Sequence, residues 1–461
     1  MKRVRGSGRP PLGPDFTRLL SANAVSNVGD GVRLAAGPLL VASLTEDPGL
    51  VGGAVFVQQL PWLLLSLPAG AYVDRLDRRH LLLTVNLVRA LVAGSLAWAV
   101  ATDTASIPLV YAAIFLVGVA EVLADNASSA LVPAVVASAQ LPRANARLVT
   151  SFVVGNQFAG PPLGAWLFVT GAALPFGVEA AGFLLATMLL SLLRRRPTTE
   201  VVAARSRGWL RRDVAEGVRW LWRHPGIRLL AVVLGVMNVT FMAAFAVWVL
   251  YARDRLGLSA AGFGLLLTAS AVGGLVGAAS TGRLTDRLGA ATLLRAGLLV
   301  EAAVHVILAV TRNPWVAGAA MVAFGAHAAV WGVVVATIRQ RLVPSSLRGR
   351  VNSVYFLLTM GGAAVGALIG GLLARAFGLT APFWIAAAGD AVLIAAVWRH
   401  FTPASFEPPD PDPRTRSPAA RDRLTASGDR STPCRCMGAV PSLPGVRRRC
   451  GSGRRRTRHR R

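Results

Sequence analysis

The sequence predicts an all-α membrane protein, with twelve transmembrane helices in two pseudo-symmetric six-helix bundles. Three observations carry that prediction. Apolar runs of about 20 residues, enough to cross roughly 30 Å of hydrocarbon, recur along the chain. Arginines gather in alternate loops between those runs. Short motifs of the first half return in the second half at offsets of 212, 211 and 207 residues.

Composition sets the solvent. The chain has 461 residues, 54% hydrophobic and only 15% charged, with a mean hydropathy of +0.52. Soluble domains carry about 25% charged residues, and disorder needs low hydrophobicity, so neither state accounts for the body of the chain. The alternating segments of about 10 residues that mark a membrane β-barrel do not occur. Backbone polar groups in lipid must then be satisfied within helices.

The twelve expected spans lie near 16–44, 49–72, 80–101, 107–135, 145–169, 172–193, 228–251, 259–282, 291–311, 315–340, 350–376 and 380–399. The first carries Asn23, Asn27, Asp30 and Arg33, too long and polar for a cleavable signal, and is read as a retained span after a cytoplasmic N-terminus, 1–15. Spans 16–193 form one bundle and 228–400 the other. Between them, 194–227 is polar and basic. Trp209, Leu210, Val214, Val218, Leu221 and Trp222 recur there at helical spacing, as in an amphipathic helix on the inner leaflet or a short soluble linker helix.

Net charge is +27, from 49 Lys+Arg against 22 Asp+Glu, and Lys2 is the one lysine. With the N-terminus inside, the inner loops hold Arg75, Arg78, Arg79, Arg143, Arg147, Arg283, Arg287, Arg341, Arg348 and Arg350. The outer loops hold Arg253, Arg255, Arg312 and Arg375, so both termini are expected in the cytoplasm. The positive-inside pattern explains this charge better than a nucleic-acid partner does. Residues 401–461 are a basic tail with 15 Arg and 5 acids, expected to be disordered. Cys434, Cys436 and Cys450 all lie in that tail, so the body can hold no disulfide or thiolate metal site. No HExxH spacing, nucleophile elbow or phosphate loop marks an enzyme, and no cofactor or metal site is expected.

The most specific motif is Gly70-Ala71-Tyr72-Val73-Asp74-Arg75-Leu76-Asp77-Arg78-Arg79 after span 2. Its echo is Gly282-x-x-x-Asp286-Arg287-Leu288, with Ala290 and Ala291 where arginines would stand. This resembles the loop signature of the major facilitator superfamily. The resemblance implies a cytoplasmic charge latch between the two halves, weaker in the second copy. Asp77 stands where the family has Gly, so the local turn should differ. Gly155-x-x-x-x-Gly160-Pro161-Pro162-Leu163-Gly164 in span 5 resembles the glycine–proline motif of the superfamily's exporters, a kink that helps set how the cavity opens. Asn27-x-Gly29-Asp30-Gly31-x-Arg33 and Gly217-x-Arg219-Trp220-Leu221-x-x-His224-Pro225 are similar to the exporter branch that includes the enterobactin exporter and macrolide-efflux proteins.

Ionisable groups inside spans are costly, about 2.5–3.5 kcal/mol each, and mark pathways. Asp30 and Arg33 share a face of span 1, Arg89 lies on span 3, Glu121 and Asp125 share a face of span 4, and Glu179 lies on span 6. They are candidates for proton coupling or substrate contact, the alternative being permanent structural ion pairs. Span 4 reads Gly118-Val119-Ala120-Glu121, without the arginine that proton-coupled exporters carry ahead of a glycine, so coupling would rest on carboxylates. Glu301 and His305 (span 9) and Asp390 (span 12) are placed toward the water interface, and His327 lies on span 10. Trp62, Trp166, Trp248, Trp331 and Trp384 are read as packing or interface anchors rather than cavity lining.

Together these readings describe a monomeric transporter of the bacterial cytoplasmic membrane. It would export a small amphipathic molecule, a drug, siderophore or natural product, in exchange for protons. The alternatives are an importer or uncoupled facilitator, and a membrane scaffold acting through the basic tail.

Overall fold

Apolar runs punctuated by proline and glycine fold as long rods in the computed structural model, which describes residues 12–73, 76–194, 209–344 and 347–406. The N-terminal half contains α1 (Pro14–Leu44), α2 (Pro48–Val73), α3 (Arg78–Ala101), α4 (Ile107–Val135), α5 (Leu141–Phe152), α6 (Gly160–Thr170) and α7 (Leu174–Ser191). A linker helix, α8 (Trp209–Arg223), leads to α9 (Pro225–Phe245), α10 (Trp248–Leu250), α11 (Ala260–Leu288), α12 (Ala290–Val310), α13 (Pro314–Leu342), α14 (Arg348–Phe377) and α15 (Ala381–Val397). Proline opens many of these helices in the first turn, where its missing N–H costs nothing.

Among the described residues, ten helices are long and apolar enough to cross a membrane. The two other expected spans differ from the simple reading. α1 is 31 residues long but lowers its hydropathy with buried charges. Span 5 is not one helix: α5 and α6 are joined by a π-helical segment, Val153–Ala159, that ends just before Pro161 and Pro162. Span 7 likewise breaks at Ala246–Val247 and resumes as α10 and a π-helical turn, Tyr251–Arg255.

Two places show what glycine is for. A Cβ on Gly31 would fall 2.9 Å from the Gly160 Cα and 2.5 Å from the Asn156 carbonyl oxygen, so α1 meets span 5 backbone to backbone. Gly289, at φ 76°, turns α11 into α12. At the equivalent point of the first repeat Asp77 keeps φ −63° and accepts the His80 N–H at 2.8 Å, capping α3. That bond holds the Asp77 carboxyl below its ordinary range. The turn therefore differs from the glycine form, as the substitution implied.

The start of α1, the linker helix and the end of α15 lie on one face, here the terminal face. The apolar core is arranged unequally about it. At the far face one cluster draws on both halves, with Leu39, Leu40, Val51 and Ala165 against Val247, Trp248, Leu266 and Phe383. Toward the terminal face the core divides into an N-terminal cluster around Phe16, Leu82, Leu131 and Leu190 and a C-terminal cluster around Leu230, Leu294, Trp331 and Val351. α2 meets α14 at the far face so closely that a Cβ on Gly52 would lie 2.7 Å from the Gly371 Cα. Arg253 donates to the Ala42 carbonyl at 3.1 Å and Arg375 pairs with Asp47 at 3.5 Å, both bridging the halves there. The halves are thus joined at the far face and have separate cores toward the terminal face.

Trp248 and Trp331 are buried packing residues, Trp166 and Trp384 face outward, and Trp62 meets Phe356 edge-on across the halves. The tail from 407 onward and the loop 195–208 lie outside the described residues.

Candidate functional site

Helix α1 is the axis of the site. Its contact with span 5 through Gly31 and Gly160 fixes the face on which Asp30 and Arg33 stand one turn apart. Arg33 is a hub: Nε donates to Glu179 Oε1 of α7 at 3.0 Å, and Nη2 donates to Glu121 Oε2 of α4 at 2.6 Å and to Asp30 Oδ1 at 3.4 Å. Arg89 of α3 donates to the same Asp30 oxygen, and its guanidinium lies 3.9 Å from the centre of the Phe183 ring. Arg33, Asp30, Arg89 and Glu179 are all under 7% exposed, and Glu121 is partly covered.

All six expected coupling residues therefore belong to one region of the N-terminal half. Asp125 differs from the rest: its side chain is open, and it lines a polar cavity of about 250 Å³. Asp30, Arg89, Asn23, Ser26, Asn27, Asn86, Ser128 and Ser129 share that wall. Leu82 and Leu190, each near the terminal-face end of its helix, line it as well, so the space runs from that end to the buried pairs. The bond between Asn23 Nδ2 and Ser128 Oγ at 2.8 Å ties α1 to α4 at the wall. Sequence reasoning singled out none of Ser26, Asn86, Ser128 and Ser129 for this role. The available signal was polar side chains at helical spacing beside Asp30 and Asp125.

The group carries two guanidiniums and four carboxylates, so full ionisation would leave an excess of negative charge in an apolar surrounding. Among the described residues Nη1 of Arg33 and Nε of Arg89 have no hydrogen-bond partner, leaving donor capacity for water or a ligand anion.

The latch residues are only partly described. Asp74 and Arg75 lie outside the described residues; Gly70 is in the last turn of α2. Arg78 donates to the Ala130 carbonyl and Arg79 to that of Ser191, so both tie α3 to its own half, to α4 and α7. Gly282, Asp286 and Arg287 are exposed at the end of α11, and neither charge forms an ion pair among the described residues. Gly155 packs on Asn27 and Val28 of α1, and Gly164 on Val32, extending the seam through the π-helical segment.

The C-terminal half corrects one expectation. Glu301, His305 and Asp390 are not near water: each is 2% exposed. His305 Nδ1 meets Asp390 Oδ2 at 2.7 Å, and His327 Nε2 meets Glu301 Oε2 at 3.2 Å. The apolar packing of α12 between α13 and α15 covers them, which run lengths alone do not reveal.

Comparison with known proteins agrees with this architecture. The family model described as transmembrane secretion effector matches residues 8–426. The multidrug efflux pump Tap of Mycolicibacterium fortuitum is 28% identical over 386 residues, covering 79% of this chain and 90% of Tap. The enterobactin exporter EntS of Escherichia coli O1:K1 / APEC is 27% identical over 365 residues, 78% of this chain and 85% of EntS. Among solved structures, a bacterial homologue of the iron transporter ferroportin in an inward-facing state superimposes with a TM-score of 0.68 at 18% identity, covering 85% of this chain and all (100%) of that one. The outward-facing state of a bacterial ferroportin homologue gives 0.55, covering 84% and 99%. The nucleoside transporter NupG gives 0.66 at 12% identity, covering 84% and 99%. The chain is a multi-pass membrane transporter, not an enzyme, and it belongs to the transmembrane secretion effector family of the major facilitator superfamily.

Proposed function

We propose that the protein exports a small amphipathic organic molecule across the bacterial cytoplasmic membrane by proton antiport, with the terminal face in the cytoplasm. The observation that carries the reading is the buried Asp30–Arg33–Arg89–Glu121–Glu179 group at the end of a polar cavity. Two relatives named for multidrug efflux and enterobactin export support the direction and the substrate class. The arginine-rich loops and linker on the terminal face support its cytoplasmic placement.

Magnitudes say how many protons the cycle needs. Breaking a buried ion pair by taking away one partner costs about 3–5 kcal/mol. One proton crossing 100 mV supplies about 2.3 kcal/mol, so two are on the scale of one such rearrangement. When the group is open to the far side, protons enter and neutralise Glu121 and Asp125, one turn apart on α4, which releases Arg33 and cargo and lets α1 shift against span 5. In the state described here, Asp125 is open to the cavity on the terminal face and returns the protons to the cytoplasm, Arg33 pairs again with Glu121, and new cargo binds.

The test uses inverted membrane vesicles energised to pump protons inward, with ethidium as the probe. Wild-type protein should accumulate the dye and collapse the proton gradient. Replacing Asp30, Glu121 and Asp125 together by Asn, Gln and Asn should abolish both signals. Unchanged, gradient-dependent accumulation in that variant would refute proton coupling through these residues.

A further inference from the structure

The cycle above leaves the second buried group unused. Glu301 and His305 stand one helical turn apart on α12, and Asp390 faces them from α15. One donor atom from each lies within 4.8 Å of the other two. His327 reaches Glu301 from α13. Among the described residues these four pair only with one another, and no arginine joins them. That separates them from the N-terminal group, whose carboxylates are held by Arg33 and Arg89.

Two further facts point to a missing partner. Asp390 Oδ1 and His327 Nδ1 are buried and have no hydrogen-bond partner among the described residues. Two ionised carboxylates in a site only 2% exposed are costly, and among the described residues no arginine or lysine pairs with them. Protonation within the group or a divalent cation removes that cost.

We propose that Glu301, His305 and Asp390 bind one divalent first-row transition-metal ion, of the nitrogen- and oxygen-preferring class that includes Zn²⁺, Co²⁺ and Mn²⁺. One imidazole nitrogen and two carboxylate oxygens suit that class, and the absence of thiolate disfavours softer ions such as Cu⁺. The ion plus two carboxylates and neutral imidazole sums to zero charge. The three donor atoms lie within 4.8 Å of one another, and His305 Nδ1 and Asp390 Oδ2 are 2.7 Å apart, so side-chain shifts on the order of 1 Å bring all three to bonds of about 2.1 Å from one ion. His327, bonded to the second Glu301 oxygen, acts as the positioning residue that orients that carboxylate. The ion would tie α12 to α15 inside the C-terminal half. The inference is independent of the export reading, since the site faces neither the polar cavity nor its charge group.

The test uses full-length protein in detergent, stripped of metal, with Cys434, Cys436 and Cys450 replaced by Ser to remove tail thiolates. Titration with Co²⁺ alone should show one equivalent per chain with visible absorption bands, bleached by Zn²⁺. His305→Ala and Asp390→Asn should each weaken Co²⁺ binding at least tenfold, and His327→Gln less. Absence of stoichiometric binding, or unchanged affinity in the H305A/D390N double variant, overturns the proposal. Should the variants fail to fold, X-ray absorption on the Co²⁺-loaded protein decides. Histidine ring scattering with nitrogen and oxygen neighbours supports the site, and a shell of water oxygens alone overturns it.

Discussion

Arg33 has three carboxylate partners from three helices, and this makes its chemistry testable apart from its charge. The planar guanidinium reaches Glu179 through Nε and Glu121 through Nη2 at the same time; a lysine ammonium has a single nitrogen and cannot span both. Arg33→Lys should therefore reduce vesicle transport at least tenfold while leaving the fold intact. Arg33→Ala strands buried carboxylates and should cost about 3–5 kcal/mol, seen as a lowered melting temperature in detergent. Adding Glu179→Gln to Arg33→Ala should recover part of the loss, with a coupling energy above about 1 kcal/mol in the double-mutant cycle. Additive losses would show that the 3.0 Å bond contributes little. The same-face pairs here, Asp30 with Arg33 and Glu121 with Asp125, were legible because helical period alone sets them. The bond from Arg33 to Glu179, 146 residues away, was not legible, because one sequence carries no information on which helix faces turn together.

At the scale of elements, α1 and span 5 form the seam on which the site is hung. The sequence announced a disturbance through Gly155, Gly160, Pro161 and Pro162 but read it as a kink in one helix. The chain instead opens a π-helical segment, Val153–Ala159, which carries the broken ladder up to the prolines. Its position depends on α1 approaching through Gly31, a tertiary fact outside the reach of local pattern. Gly160→Ala should force a Cβ into the Gly31 backbone and cost roughly 1–3 kcal/mol, with lost transport as Asp30 and Arg33 shift from their partners. Gly177→Ala is the control, since a Cβ there meets nothing within 4 Å. Equal melting temperatures and equal transport for the two variants would remove the seam from the mechanism. The linker helix α8 behaves as a docked element: Glu216 pairs with Arg350 at 2.7 Å, and a Cβ on Gly217 would fall 2.7 Å from the Arg350 carbonyl oxygen of α14.

For the whole molecule, the unequal cores mean that this conformation is held at one end. The echoes at 212, 211 and 207 residues pointed to a repeated unit, but which end is closed was not legible, since both conformations bury the same sequence. The far-face contacts, Gly52 against Gly371 and the pairs Arg253–Ala42 and Arg375–Asp47, are what must part for the opposite state. An added side chain at Gly371 should wedge α2 from α14 and shift the population toward far-face opening. With the tail cysteines replaced by Ser, a single cysteine at Gln59, which lies between the halves against Met242, reports the change. In intact cells a membrane-impermeant maleimide should label Gln59→Cys weakly, and several-fold more strongly once Gly371→Trp is added. A cysteine at Arg212 of the exposed linker surface should stay unlabelled in intact cells and react in inverted vesicles, as expected of a cytoplasmic terminal face. Labelling at Arg212 from outside the cell would reverse the orientation. No gain at Gln59 from the wedge would mean that the far-face glycine contact does not hold the halves closed.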